Sequence, residues 1–69
     1  MRKEIKIEEE YIKLDQLLKY SDAVSSGGEA KLRILSGEVK VNGVTISQRG
    51  KKIRPGDTVQ LNHIEIKVK

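Results

Sequence analysis

Between Lys40 and Arg54 the chain carries five basic side chains, Lys40, Arg49, Lys51, Lys52 and Arg54, and no acidic one. Loop cations beside a glycine, here Gly50, can adapt to the path of a phosphate backbone. The whole chain has 14 Lys plus Arg against 10 Asp plus Glu, a formal charge of +4, and that total understates the asymmetry. The first thirty residues hold five basic and seven acidic side chains, whereas the remainder holds nine basic and three acidic. Such a local excess is larger than solubility requires. Lys31 and Arg33 extend it if the segment after them folds back alongside, which points to nucleic acid as the partner class.

A second feature is Ser25-Ser26-Gly27-Gly28. Ser26 stands three residues before Glu29, the spacing of a capping box, so the two glycines fall in the first turn of a helix. Each costs up to about 1 kcal/mol of helix stability relative to Ala, so something must favour them. One reading is that bare N–H groups at the positive end of a helix dipole meet a phosphate; the other is that glycine lets two elements approach closely. The stretch lacks the Lys-Ser/Thr ending and the preceding strand of a Walker loop.

Other chemistry has little to draw on. There is no Cys, which removes disulfides, thiolate nucleophiles and thiolate metal sites, and His63 is the single histidine. No cofactor, metal or small-molecule substrate is expected, and a chain of 69 residues closes one thin core with no deep catalytic pocket. Asp15, Asp22, Glu29, Glu38 and Asp57 are scattered over caps and turns, Asp57 as a turn stabiliser. With no Phe, no Trp and two Tyr, composition argues against a base-stacking platform. Tyr11 and Tyr20 are expected to pack, partly buried, at the ends of a helix.

The elements that must position these residues follow from periodicity. Apolar residues make up 36% and charged residues 35%, close to the disorder boundary, yet the apolar positions are regular enough to specify a fold. Ile5 and Ile7 alternate over a short strand, Glu4 to Ile7. Leu14, Leu17 and Leu18 recur at helical spacing within a first helix from Tyr11 to Tyr20. A second helix runs from about Gly27 to Ser36, with Gly37 where a left-handed C-terminal cap is wanted. Val39, Val41, Val44 and Ile46 flank Asn42-Gly43, a strong hairpin signal, and are expected to share a buried face. Pro55-Gly56-Asp57 is a turn into Thr58 to Leu61, and Asn62-His63 separates that strand from Ile64 to Val68. The expected architecture is α+β, two packed N-terminal helices on a small, mainly antiparallel sheet with a Val-Asn-Gly hairpin. Residues 1–69 form one domain with no repeat or linker. The charged N-terminal stretch shows neither a leader peptide nor a membrane span, so a cytoplasmic location is the expectation.

Lys13-Leu14-Asp15, Leu18, Ser26, Ala30, Ile34, Gly37-Glu38-Val39-Lys40-Val41-Asn42-Gly43 and Pro55-Gly56-Asp57 together resemble the S-four RNA-binding domain. This is the alpha-L motif named after the fourth protein of the small ribosomal subunit. The resemblance covers about residues 12–61. Gly27 to Lys31 and Arg49 to Lys52 are most similar to the small stand-alone bacterial members of the YaaA or YbcJ type. The chain departs from the broad family at Lys13, where Arg is usual and bidentate geometry is lost. It departs also at Gly27, where an Arg side chain is usual, and at Arg33, where an apolar residue is usual.

The resemblance implies binding of structured RNA, ribosomal or transfer RNA, with ribosomal particles as a further partner. On this reading Lys31, Arg33, Arg49, Lys51, Lys52 and Arg54 meet phosphates, Lys13 and Lys40 flank them, and the Ser26, Gly27 and Gly28 backbone donates hydrogen bonds. No membrane partner is expected, and the chain is expected to be a monomer. Two other classes are weighed: a helix-turn-helix DNA regulator, whose recognition helix would normally present side chains where this one has glycines, and a protein-interaction module.

Overall fold

The computed structural model describes all residues from Met1 to Lys69. Two helices, α1 (Leu14–Tyr20) and α2 (Gly27–Leu35), cover one face of a sheet built from β1 (Arg2–Ile5), β3 (Val39–Val41), β4 (Val44–Thr45), β6 (Thr58–Leu61) and β7 (Ile64–Val68). The strand order is β1-β7-β6-β3-β4. The first and last strands run parallel, with Arg2 opposite Glu65 and Ile5 opposite Val68; the β3–β4, β3–β6 and β6–β7 pairings are antiparallel. A separate antiparallel pair joins β2 (Ile12–Lys13) to β5 (Lys52–Ile53). No helix is long and apolar enough to cross a membrane.

The core follows from the two periodicities. Leu14, Leu17 and Leu18 line the inner face of α1, and Ala30 and Ile34 that of α2; Val39, Val41, Val59, Leu61, Ile66 and Val68 project from the sheet to meet them, with Val24 and Ile53 closing the ends. The intervening sheet residues Lys40, Thr58, Gln60 and Lys67 lie on the opposite, polar face, as strand alternation requires. Burying one Leu contributes about 1.5–3 kcal/mol, so the three leucines of α1 are central to so small a domain.

Turn chemistry agrees with the sequence at the sharpest points. Asn42 and Gly43 both adopt positive φ, 51° and 84°, the geometry of a two-residue hairpin whose twist matches its strands. Helix α2 ends in a Schellman motif: Gly37 has φ 80°, its N–H donates to the Ile34 carbonyl and that of Glu38 to the Arg33 carbonyl. The same motif closes α1, where Asp22 takes the left-handed position with φ 61° and the N–H groups of Asp22 and Ala23 donate to the Lys19 and Leu18 carbonyls. Lys3, on the inner face of β1, extends its ammonium to the Ser21 carbonyl at that same helix end, where a cation meets the negative end of the dipole.

Three expectations are corrected. The first helix starts at Leu14, because Ile12 and Lys13 are recruited as a strand by Ile53 and Lys52. The N-terminal strand is Arg2–Ile5, two residues earlier than the Glu4 to Ile7 alternation suggests. Val44 pairs with Val41 and points to the same side of the sheet but is not buried; it is 60% exposed, since β4 is a two-residue edge strand that the helices do not reach.

At the start of α2 the Ser26 hydroxyl accepts from the Glu29 N–H at 3.1 Å. Glu29 in turn accepts from the Ser25 N–H and hydroxyl at 2.8 and 2.9 Å, one residue earlier than the reciprocal capping-box bond. At the other end Glu38 accepts from the Ser36 hydroxyl at 2.6 Å, from Arg33 at 2.8 Å and from Asn62 at 3.3 Å. These bonds hold both carboxyls below the ordinary glutamate value of 4.5, Glu29 chiefly through Ser25 and Glu38 chiefly through Ser36. Glu4 is lowered likewise, chiefly by Lys69.

Leu17→Ala is expected to cost about 2–5 kcal/mol in urea unfolding. For the carboxylates, a native value below the unfolded one means that their contribution is present above 4.5 and is lost as pH falls through the lowered native values. The Glu29→Gln/Glu38→Gln double variant should therefore lose less stability than the parent on acidification below that point, as read by thermal melts across the range.

Candidate nucleic-acid interface

Helix α1 lacks a side-chain cap: its N-cap residue, Lys13, makes no such hydrogen bond. Its first N–H groups are instead met by the carbonyls of the basic loop. Leu14 N–H donates to the Lys51 carbonyl at 2.9 Å and Asp15 N–H to the Arg49 carbonyl at 3.1 Å, while Gln16 N–H donates to the Asp15 carboxylate at 2.8 Å. The loop backbone thus serves as the cap that orphan helix donors need. Arg49, Lys52 and Arg54 are exposed and Lys51 is half-buried.

The rest of the segment is held just as firmly. A turn closes with Lys51 N–H on the Gln48 carbonyl at 3.2 Å. Lys52 and Ile53 pair with Lys13 and Ile12, and Ile53 is buried in the core. Arg54 N–H donates to Asp57 Oδ2 at 2.9 Å, and Asp57 Oδ1 accepts from Asn42 Nδ2 at 3.0 Å. Asn42 Oδ1 takes the Thr58 N–H at 2.9 Å, so Asp57 and Asn42 join the 54–57 turn to the β3–β4 hairpin.

The register sets Lys13 directly across from Lys52, and Lys51 and Arg49 contact the start of the helix that Lys13 precedes. None of Lys13, Arg49, Lys51, Lys52 or Arg54 takes part in a salt bridge. Lys52 has one recognisable partner, the Tyr11 ring, whose centroid lies 4.9 Å from Nζ. Like charges gathered on an anchored backbone, none of them held in an ion pair, create a field that favours a polyanion.

The remaining predicted site residues divide differently. Arg33 is occupied: its guanidinium binds Glu38 at 2.8 Å and Glu29 at 3.4 Å, an arrangement that holds its proton more tightly, first through Glu38. Lys40 lies on the outer face of the sheet, between Thr45 and Gln60, away from the helix side that carries the loop. Lys31 is exposed on α2, the helix that packs against α1, and has no ion pair. Ser26, Gly27 and Gly28 form the first turn of the same helix.

The two glycines are not there for packing. A Cβ on Gly27 would meet nothing within 4 Å, and one on Gly28 only the Ser26 Oγ at 3.9 Å. Neither has positive φ, so neither close approach nor backbone conformation requires glycine. Gly50 is equally unobstructed. Tyr11, absent from the sequence-based set, is joined to the site by its contact with Lys52; the signal that could have found it is its place just before the strand that pairs with the basic loop.

The sequence matches the S4 domain family model over residues 5–69. It is also 41% identical over 61 residues to the probable ribosome maturation protein RlbA of Bacillus subtilis strain 168, an alignment spanning 88% of this chain and 86% of that protein. The helix pair and the mainly antiparallel sheet are therefore those of a chain that belongs to the S4 domain family.

Proposed function

We propose that this chain is a non-enzymatic RNA-binding domain of residues 1–69, with the helix pair and following loop forming an alpha-L motif that grips the phosphates of folded RNA. The observation that carries the reading is the set of five unpaired cations, Lys13, Arg49, Lys51, Lys52 and Arg54, on backbone anchored at both ends. Phosphate contacts of this kind position a protein on folded RNA by charge and shape. The similarity to a protein named for ribosome maturation favours ribosomal RNA over transfer RNA, with action on ribosomal particles in the cytoplasm and as a monomer. Lys31 and the open N–H groups of Gly27 and Gly28 supply a second, smaller contact on α2. Arg33 and Lys40 contribute less, the first because it is neutralised by two glutamates and the second because it faces away from the loop.

Two measurements test this reading. RNA affinity should fall steeply with salt, and the Lys51→Ala/Lys52→Ala/Arg54→Ala variant should flatten the log–log slope by about 2 to 3, at roughly 0.7–0.9 per phosphate contact. Lys40→Ala should change affinity less than Lys52→Ala; a salt-independent affinity, or a triple variant that binds as the parent does, defeats the proposal. Because no packing requires glycine at Gly27 or Gly28, the Gly27→Ala and Gly28→Ala variants should each be more stable by up to about 1 kcal/mol and yet bind RNA more weakly. Unchanged affinity in both would remove the helix N-terminus from the interface.

A further inference from the structure

Beside the basic loop is a hollow of about 440 Å³ lined by Glu9, Glu10, Tyr11, Ile12, Lys13 and Gln16. It adjoins a second of about 400 Å³, which shares Glu9 and Ile12 with it and is lined also by Tyr20. The two tyrosine rings of the chain therefore line adjoining hollows. Tyr20 is 67% exposed, contrary to the expectation that both tyrosines pack at the ends of α1.

Glu9 and Glu10 outnumber Lys13, the one cation in the lining of the first hollow, so the lining as a whole disfavours a phosphate. Glu8, Glu9 and Glu10 make no salt bridge and no hydrogen bond, and free carboxylates repel a polyanion at this spot. They suit a ligand that presents N–H donors. An aromatic ring, a side-chain amide and two carboxylates are the groups that stack a nucleobase and bond to its Watson–Crick edge. Guanine offers adjacent imino and amino donors, which one carboxylate can accept together. Lys52 lies over the Tyr11 ring and does not line the hollow, so a phosphate on Lys52 and a base in the hollow would be neighbours.

We propose that the Tyr11 hollow binds one unpaired nucleobase of the RNA, guanine in preference, stacked on Tyr11 with its donor edge toward Glu9, Glu10 and Gln16. The inference rests on the RNA-binding reading above, to which it adds base recognition that backbone contacts alone do not give.

The test uses RNA hairpins with a common stem: fully paired, with one bulged guanine, and with one bulged cytosine. The bulged guanine is expected to bind about fivefold or more tighter than the paired hairpin, from the usual worth of a base stacked on an aromatic ring, with the bulged cytosine between them. In a Tyr20→Phe background Tyr11 is the sole tyrosine, and with no Trp in the chain its emission should be quenched by the bulged guanine. Tyr11→Leu should abolish the preference for the bulge without altering the salt slope, whereas Tyr11→Phe should keep it. Equal binding of all three hairpins with the salt dependence intact, or no quenching, overturns the base site and leaves the phosphate reading standing. Absence of salt-dependent binding to any hairpin overturns the reading on which it rests.

Discussion

The hydrogen bonds from Leu14 and Asp15 N–H to the carbonyls of Lys51 and Arg49 join two parts that neither could complete alone. A helix of seven residues is too short to persist in water without help, and the N-cap residue of this one, Lys13, makes no side-chain capping bond. A basic loop, left to itself, would hold its cations apart by mutual repulsion. Docking the loop carbonyls on the helix donors satisfies both, and β2–β5 pairing with burial of Ile53 extends the join into the core. The positive end of the α1 dipole is thereby occupied by carbonyl oxygens, which leaves the loop side chains to meet an external anion.

The distribution of charge follows from the same arrangement. Arg2, Arg33 and Lys69 face carboxylates, and Lys3 bonds to a backbone carbonyl at the end of α1. Exposed pairs of this kind add little stability, but they withdraw those cations from intermolecular use. Lys6, Lys19, Lys31, Lys40 and Lys67 are also outside ion pairs but stand singly along the chain, whereas the loop cations and Lys13, which likewise have no such partners, are brought together by strand pairing and helix capping. The acidic run Glu8 to Glu10 borders this region and limits it. Glu9 and Glu10 line the hollow beside Tyr11, whose ring also carries Lys52.

Where local chemistry decides structure, the sequence could be read directly. Asn42-Gly43 between alternating valines specifies a two-residue hairpin, Ser26 with Glu29 starts α2, and Gly37 ends it in a Schellman motif. The leucine spacing places the buried face of α1, and the acid-free stretch from Lys40 to Arg54 marks the basic segment. Asp22 was harder to foresee as a left-handed cap, because Asp tolerates that conformation without announcing it as Gly does. Val44 fits the hairpin alternation and yet is exposed, since alternation states which side a residue faces but not whether a layer covers that side.

By itself the sequence determined the element types, the turns, the apolar faces and the sign of the charge, all of which depend on residues within a few positions of one another. The tertiary structure alone decided which cations remain free. Pairing of Lys13 with Lys52, capping of α1 by the loop, neutralisation of Arg33 by Glu29 and Glu38, and the opposite face taken by Lys40 all depend on contacts between elements. Coulomb interactions are set by distance in space, and a count of charges along the chain carries no record of that distance.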